Sequence, residues 1–211
     1  MFYRDPQGIY RASEFDQFEW LLHGFGSCDA DVPALHPQLA TLKQIHSAVV
    51  IDAAGRTGVL GQGDALVERE PGSVVAVKTA DCVPILLVDP QRRAVAAVHA
   101  GWRGTAARII QAAVAAMDSS ELYAAIGPSI GKCCYEVGPE VAVQFGEKGR
   151  SCIDLPEINR LQLIQAGVTP RQICASKLCT MCSAGQFHSF RRDGERAGRQ
   201  YSFAGVRQAL Q

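Results

Sequence analysis

The sequence predicts a single domain of the α+β or mixed α/β class, with more strand than helix in its centre. The chain has 211 residues, a length that fits one domain with a sizeable hydrophobic core. Its composition is 47% hydrophobic and 20% charged, which is typical of a folded globular protein. Short apolar runs bounded by turn residues outnumber the segments with helical spacing. We therefore expect residues 1–211 to form one domain.

The predicted strands are short apolar runs that end at turn signals such as Gly61-Gln62-Gly63-Asp64. The six runs are residues 49–51, 65–67, 74–77, 84–88, 94–98 and 122–126. Each run is almost continuously apolar and does not alternate with polar residues. This pattern favours strands that are covered on both faces.

Two segments have helical character. Residues 105–117 are rich in Ala and Ile and end at Asp118-Ser119-Ser120. Residues 156–167 place apolar side chains at helical spacing, and Gly167 is a suitable C-terminal stop. Residues 139–145 are a candidate for a third, short helix.

Charge balance argues against several functional classes. The chain carries 21 basic and 21 acidic residues, so its net charge is zero and it lacks the surplus of a nucleic-acid-binding surface. No apolar run approaches the roughly 18 residues that a membrane span requires. The N-terminus has no apolar segment of a secretory signal. We expect a cytoplasmic protein that binds neither nucleic acid nor membrane; its oligomeric state is not predictable from the sequence.

Eight cysteines form an uneven set: Cys28, Cys82, Cys133, Cys134, Cys152, Cys174, Cys179 and Cys182. In a cytoplasmic protein we expect reduced thiols, most of them buried as small hydrophobic side chains. The Cys133-Cys134 pair could also combine with Cys179 and Cys182 in a second, structural zinc site.

A predicted β-hairpin brings a cysteine close to a histidine. The apolar runs on either side of Asp89-Pro90-Gln91-Arg92 can pair as antiparallel strands around that turn. Val88 then faces Arg93, and Cys82 faces His99. Directly opposed residues have Cβ atoms roughly 4.5–5.5 Å apart. The thiol and the imidazole could therefore share a metal ion or a proton.

Three interpretations of this pair remain open from spacing alone. A catalytic zinc site needs a third ligand, and His46 stands directly before the predicted strand 49–51. A nucleophilic Cys–His pair would use an acid such as Asp81 to orient the imidazole. The third interpretation is a buried thiol beside a hydrogen-bonded core histidine.

Five motifs, in order along residues 20–205, carry a family resemblance. They are Gln44-Ile45-His46, Gly63-Asp64-Ala65-Leu66-Val67, Thr79-Ala80-Asp81-Cys82-Val83-Pro84-Ile85, Ala97-Val98-His99-Ala100-Gly101-Trp102-Arg103-Gly104, and the segment from Ile126-Gly127-Pro128 to Cys133-Cys134-Tyr135-Glu136-Val137. The sequence resembles the bacterial laccase-domain family, long labelled polyphenol oxidases and also described as purine nucleoside phosphorylases.

The resemblance implies a fold, a metal and an activity. The fold would be a mixed α/β sandwich with mixed β-sheet and flanking helices. His46, Cys82 and His99 would bind one zinc ion. The activity would be phosphorolysis of adenosine, inosine and guanosine to the base and ribose 1-phosphate, with adenosine deamination and methylthioadenosine cleavage at the same site. The binding partners would be purine nucleosides and phosphate.

Further site residues are predicted around this centre. Asp81 and Arg103 are the candidate catalytic residues, because a carboxylate beside Cys82 can act as acid or base and a guanidinium binds phosphate bidentately. A solvated Arg103 and a capping Asp81 are the structural interpretations of the same residues. Trp102 could stack on a purine, although an aromatic side chain there is as often part of a core.

The remaining substrate-binding candidates are His23 and Arg191. Arg191 lies in a segment, 188–194, that is similar to the C-terminal segment of the family. His23-Gly24-Phe25 also matches, but Gly26-Ser27-Cys28-Asp29-Ala30 follows where the family usually has a Ser/Thr-Arg pair. The chain therefore lacks one arginine that could bind phosphate.

Three competing functions would use the same residues differently. A copper-dependent polyphenol oxidase needs on the order of ten histidine ligands for its several coppers, and this chain has five histidines. Copper could still substitute for zinc at a single site. The second competing function is a non-catalytic zinc-stabilised domain, and the third is a Cys82–His99 hydrolase with a free thiolate.

Overall fold

The computed structural model describes residues 1–208, in which fifteen strands and six α-helices alternate with short turns. The strands are β1 (Phe2–Arg4), β2 (Ile9–Ala12), β3 (Leu21–Gly26), β4 (Ala40–Lys43), β5 (Val50–Asp52), β6 (Gly58–Gln62), β7 (Ala65–Glu68), β8 (Val74–Thr79), β9 (Val83–Asp89), β10 (Ala94–Ala100), β11 (Tyr123–Ile126), β12 (Glu136–Val137), β13 (Ser151–Cys152), β14 (Ile173–Ala175) and β15 (Gln200–Val206). The helices are α1 (Val32–Leu35), α2 (Trp102–Ala106), α3 (Ile109–Met117), α4 (Pro139–Ala142), α5 (Leu155–Gln165) and α6 (Phe190–Asp193).

Two large mixed sheets form the centre of the molecule. One has the strand order β1-β2-β3-β15-β8-β4-β6, and the other has the order β14-β11-β9-β10-β7-β5. Strand β4 pairs in parallel with β6 and β8, β5 with β7, and β11 with β14, while the other pairs of these sheets are antiparallel. Strands β12 and β13 form a small separate ribbon. The predicted mixed α/β fold class is confirmed.

The central strands of the second sheet, β7, β9 and β10, are buried on both faces. Its side chains Leu66 and Leu86 pack against Val75 of the first sheet. Its opposite face, which includes Ile85, packs under α3 and α5. This double coverage explains why β9 and β10 are almost continuously apolar.

The predicted helix 105–117 is in fact two helices. Helix α2 begins earlier, at Trp102, and Arg108 separates it from α3 with a left-handed φ of 64°. The carbonyl oxygen of Thr105 accepts a hydrogen bond from the Gln162 side chain at 2.9 Å, which satisfies the end of α2. The other two predictions hold more closely. Helix α5 occupies 155–165 and stops before Gly167 at φ 100°, and α4 continues into a short 3₁₀ turn, Val143–Phe145.

The register of the β9–β10 hairpin differs from the predicted register by two residues. Asp89 pairs with Ala94, and His99 pairs with Pro84 instead of Cys82. The carboxylate of Asp89 accepts the backbone N–H groups of Gln91 and Arg92, at 2.8 and 2.9 Å, so the turn begins one residue later than predicted. A shift of two residues leaves side chains on the same face, because the side-chain period of a strand is two.

No helix within residues 1–208 combines the length and the apolar character needed to cross a bilayer.

Candidate metal centre and substrate cavity

Three side chains from separate parts of the chain converge at one point. His46 lies between β4 and β5, Cys82 directly precedes β9, and His99 is on β10. One potential ligand atom from each lies within 4.8 Å of the others. The structure thus brings together the three residues that the resemblance implies as ligands. They are a sulfur and two imidazole nitrogens, a donor set that suits zinc and several other transition metals.

Chain crossings between the two sheets supply two of these positions. The β4–β5 connection carries His46 from the first sheet to the second, and the β8–β9 connection does the same for Cys82. His46 and Asp81 have positive φ angles of 59° and 83°, which shows how tightly both connections turn. The candidate metal centre therefore lies where the chain passes from one sheet to the other.

Asp64, in a third crossing between β6 and β7, organises the centre. Its buried carboxylate accepts the backbone N–H groups of His46 and Ser47, at 2.9 and 2.6 Å, and the Ser47 hydroxyl at 2.7 Å. It also lies 2.8 Å from Nδ1 of His99. Because Nδ1 is engaged, the other ring nitrogen of His99 is left for a ligand, an arrangement common around metal-bound histidines.

The hydrogen bonds of the centre outweigh the effect of burial on its protonation. Burial alone would raise the pKa of Cys82, but hydrogen bonds with His46 and His99 lower it to about 6. Burial alone would lower the pKa of His99, but Asp64 and Cys82 raise it to about 9. Burial also opposes ionisation of Asp64, yet hydrogen bonds from His99 and Ser47 hold its pKa well below the usual range. The site therefore favours a thiolate, which is the form that binds metals.

Gly101 allows the ligands to approach each other. A Cβ at this position would lie 3.0 Å from both Sγ of Cys82 and Cδ2 of His46, which is closer than ordinary van der Waals contact. A larger residue at this position would therefore have to displace the Cys82 or the His46 side chain.

A cavity of about 670 Å³ opens onto the three ligands. This volume lies within the range of small-molecule sites. Five cationic side chains line the cavity: Lys43, Lys78, Arg103, Arg191 and Arg199. Three aromatic side chains line it as well: Trp102, Tyr135 and Phe190. The combination of cations and aromatic rings suits a ligand with an anionic part and a flat part.

Arg103 and Trp102 lie side by side at this cavity. The guanidinium of Arg103 stacks on the Trp102 ring at 4.3 Å from its centroid. Arg103 is exposed, and no carboxylate within residues 1–208 forms a salt bridge with it. Its hydrogen-bond donors are thus available to an anion in the cavity.

Asp81 also lines the cavity, but its carboxylate is already engaged. One oxygen accepts the hydroxyl of Thr180 at 2.6 Å, and the other accepts the hydroxyl of Ser189 at 3.0 Å and the backbone N–H of Arg191 at 2.6 Å. These contacts are those of a structural, capping carboxylate. Asp81 anchors the segment that carries Phe190 and Arg191 to the cavity wall.

The Arg191 side chain contacts the segment that carries Tyr135. Its guanidinium donates to the backbone carbonyls of Cys134 and Glu136, at 3.2 and 2.9 Å, and lies 5.4 Å from the Tyr135 ring centroid. Burial raises the pKa of Tyr135 to about 12, so its hydroxyl stays protonated.

His23 lies outside the cavity, contrary to the expectation that it contacts substrate. It is buried on β3, where its Nε2 accepts the backbone N–H of Ala12 at 3.1 Å and its ring packs edge-on against Phe15. Burial, with the nearby charge of Arg11 as a smaller cause, lowers the pKa of His23 to about 4. Its position is that of a neutral core histidine.

Several residues of the site were not predicted from the sequence. Asp64 and Tyr135 stand inside the family motifs, which is the signal that could have found them. Lys43, Lys78 and Arg199 lie outside those motifs, and only the fold shows that they border the cavity. All eight cysteines are free, but the expectation that most of them are buried is wrong, since four are exposed and four are partly buried.

The fold and the His–Cys–His centre define a laccase-like domain. Residues 29–207 match the family model described as multi-copper polyphenol oxidoreductase laccase. The chain belongs to this family.

Relatives of this chain carry names from purine metabolism. A protein of Bacteroides thetaiotaomicron named purine nucleoside phosphorylase is 38% identical over 156 residues, which is 64% of this chain and 58% of the relative. Adenosine deaminase RL5, from an unknown prokaryotic organism, is 42% identical over 158 residues, 66% of this chain and 60% of the relative. The chain thus spans about three fifths of the length of these curated relatives.

A solved structure extends the likeness over almost the whole chain. YlmD from Geobacillus stearothermophilus superposes with a TM-score of 0.89 at 28% identity, covering 98% of this chain and 99% of that chain.

Proposed function

We propose that this protein is a zinc-dependent purine nucleoside phosphorylase, which converts adenosine, inosine or guanosine and phosphate to the free base and ribose 1-phosphate. The observation that carries the proposal is the His46–Cys82–His99 centre at the floor of a cavity lined by cations and aromatic rings. The names of the relatives support an enzyme of purine metabolism.

Zinc is the metal we assign to this centre. Two imidazoles and one thiolate are typical zinc ligands, and three protein ligands leave a fourth position open. When bound, the metal would supply a positive charge that stabilises an oxygen anion of the substrate or of water. His46, Cys82 and His99 would hold it, with Asp64 fixing the orientation of His99.

The ligand inventory favours a single metal at this centre over a multi-copper cluster. Within residues 1–208, only two groups place three or more potential ligands together, and only this one contains histidine. His23 and His36 pack elsewhere, against Phe15 and Phe203. A single copper replacing zinc is the form that oxidase chemistry would take here.

The cavity provides separate surfaces for the two substrates. The aromatic rings of Trp102 and Tyr135 line the cavity and would contact the purine, because a flat aromatic ring can stack on the face of the base. Arg103 would bind phosphate with its fork of donors, and Lys43, Lys78 and Arg199 would add positive charge. These cations would supply the positive charge that the arginine missing after His23-Gly24-Phe25 does not.

The chain's own residues then position the reaction. In phosphorolysis a phosphate oxygen bonds to C1′ of the ribose while the bond from C1′ to the purine nitrogen breaks, and the base takes up a proton. Arg103 would hold the phosphate, and Asp81 would keep Arg191 and the surrounding wall in place through its hydrogen bonds. Fixing both substrates in one cavity lowers the entropic part of the barrier.

Adenosine deamination is a second candidate activity, because one relative is named adenosine deaminase. The same cavity would bind adenosine, and water would take the place of phosphate as the attacking group. Methylthioadenosine cleavage would be a phosphorolysis of the same kind.

One experiment tests the proposal. The purified protein is analysed for bound metals. Adenosine and inosine are then incubated separately, with and without phosphate, and the release of free base is measured. For adenosine, the formation of inosine is measured as well. We expect bound zinc and a phosphate-dependent release of base. His46→Ala and Cys82→Ala should lose the zinc of this centre and the release of base. Cys152→Ala is the matched control, because this exposed thiol on β13 lies away from the cavity.

Three results would contradict the proposal. Turnover by metal-free protein would exclude the zinc mechanism. Folded, zinc-loaded protein that processes no nucleoside would favour a non-catalytic domain. Phenol oxidation that depends on bound copper, without base release, would favour the oxidase.

A further inference from the structure

Outside the cavity, four thiols form a second compact group. The Sγ atoms of Cys133, Cys134, Cys179 and Cys182 all lie within 4.8 Å of one another. This four-cysteine cluster joins two loops that are about 48 residues apart in the chain. Two of its thiols are exposed and two are partly buried, so they do not serve as ordinary core side chains.

The spacing of the sulfur atoms fits a shared metal ion. Sγ of Cys182 lies 3.7 Å from that of Cys133 and 3.4 Å from that of Cys134. A zinc ion with four thiolates at 2.3 Å in tetrahedral geometry places its sulfur atoms roughly 3.8 Å apart. A disulfide needs about 2.05 Å. The observed separations are close to the edges of such a tetrahedron and far longer than a covalent bond.

The backbone holds the two loops in this arrangement independently of any ion. Ser129 and Cys179 form a parallel β-bridge, in which Thr180 N–H donates to the Ser129 carbonyl at 3.0 Å. Gly131 N–H points at Sγ of Cys179 from 3.3 Å. A backbone donor aimed at a sulfur stabilises a thiolate, as hydrogen bonds to metal-bound ligands do.

Side chains brace the same loops from the cavity side. Arg192 donates to the carbonyls of Thr180 and Met181, at 3.2 and 3.4 Å, within the turn that joins two of the cysteines. Arg191 donates to the carbonyl of Cys134 at 3.2 Å. Two further cations, Lys132 and Lys177, line a neighbouring cavity together with Cys133 and Cys179. The charges of Arg191, Lys132 and Lys177 would partly offset the negative charge that four thiolates around one divalent ion would carry.

We propose that the four-cysteine cluster binds a structural zinc ion, separate from the metal at His46, Cys82 and His99. Four thiols would lose four protons as the ion binds, and all four coordination positions would be filled by protein. Such a closed site has no open position for substrate and serves stability. Soft thiolates also select against magnesium, calcium and manganese.

The position of this site gives it a consequence for the cavity. The loop with Cys133 and Cys134 continues directly into Tyr135, and Ile130 of the same loop also lines the substrate cavity. Binding of zinc would pin this loop to the one with Cys179 and Cys182. We expect loss of the ion to loosen one cavity wall while the His–Cys–His centre keeps its own metal.

Metal counting on single variants tests the proposal. The protein is purified under reducing conditions, and zinc per chain is measured by elemental analysis. We expect two zinc ions in the unsubstituted chain, one in Cys182→Ser, one in Cys82→Ser and two in the control Cys28→Ser. Cys28 is an exposed thiol outside both groups. A content that is unchanged in Cys182→Ser but lowered in Cys82→Ser would overturn the second site.

A second measurement does not depend on the folding of a cluster variant. Cys82→Ser retains the four-cysteine cluster. Its remaining zinc should be released only when a thiol reagent modifies the four cysteines of that cluster. Cobalt exchanged into Cys82→Ser should show intense thiolate-to-metal absorption. Three results would overturn the proposal. Cys82→Ser could contain no zinc, it could contain iron in place of zinc, or Cys134 and Cys182 could form a disulfide that persists under reducing conditions.

This test separates the second site from the proposed enzymatic function. Failure of nucleoside turnover would leave the zinc count of Cys182→Ser unaffected. Failure of the second site would leave one zinc at His46, Cys82 and His99, with phosphorolysis intact.

Discussion

Asp64 links two of the three candidate metal ligands through one buried carboxylate. It holds the loop of His46 by backbone N–H groups and holds His99 at Nδ1. An ionised carboxylate accepts at both oxygens and donates at neither, so it matches a site where every neighbour is a donor. Replacement by an amide would put N–H groups against those donors.

At the residue scale, we therefore expect Asp64→Asn to weaken zinc binding about 10- to 100-fold. The amide of asparagine has only one acceptor oxygen, so either the backbone N–H groups of His46 and Ser47 or Nδ1 of His99 would lose an acceptor. Zinc affinity is measured by competition with a chromogenic chelator, and circular dichroism confirms the fold. Asp52→Asn is the matched control, because the side chain of Asp52 is 60% exposed. Equal zinc affinity in both variants would show that Asp64 does not orient the ligands.

At the element scale, His23 stabilises the contact between β2 and β3 in its neutral form. Its Nε2 accepts the backbone N–H of Ala12 across the strand pair, and this nitrogen cannot accept once it is protonated. The pKa of His23 falls from 6.5 to about 4 because burial disfavours the charged ring. The unfolded chain therefore binds a proton at a higher pH than the folded chain does.

This difference predicts acid sensitivity with a defined sign. The contribution of neutral His23 is fully present above pH 6.5 and is lost as the pH falls from 6.5 toward 4, at most on the order of 3 kcal/mol. We expect His23→Gln, which keeps an acceptor, to lose less stability between pH 7.5 and 5 than the unsubstituted chain. Urea unfolding at both pH values measures this, and equal losses would contradict the lowered pKa.

The hairpin shows at the same scale why pattern is more reliable than register. The apolar runs predicted the bounds of β9 and β10 to within one or two residues, because a strand that is buried on both faces is almost continuously apolar. The pairing was wrong by two residues, because the side chain of Asp89 moved the start of the turn. Cys82 and His99 still meet, since the shift preserves the face on which each lies.

At the scale of the whole molecule, the cavity concentrates positive charge on a chain whose net charge is zero. Five cations line it, and the acid among its described lining residues, Asp81, is engaged by Thr180, Ser189 and Arg191. A concave surface with one sign of charge focuses its field on an anionic ligand. Overall neutrality of the chain is compatible with a local phosphate site.

This asymmetry predicts a selective effect of Arg103. A hydrogen bond to a charged group contributes about 1.5–3 kcal/mol, so Arg103→Ala should lower kcat/KM for phosphate roughly 10- to 100-fold. Zinc content should stay unchanged, because Arg103 is not a ligand. Arg171→Ala is the control, since this exposed arginine lies in the turn Pro170–Gln172 outside the cavity. Equal phosphate kinetics in the two variants would place phosphate elsewhere.

The sequence by itself determined the fold class and, through its motifs, the three side chains of the candidate metal centre. It also located six of the fifteen strands within residues 1–208, namely β5, β7, β8, β9, β10 and β11. Those features depend on local pattern or on residue types at set positions. Only the tertiary structure decided that Asp64 joins His46 to His99, that His23 lies in the core, and that four cysteines converge. These contacts join segments from different strands and loops, so no local pattern encodes them. They arise where two stacked sheets bring the chain crossings and the long loops together.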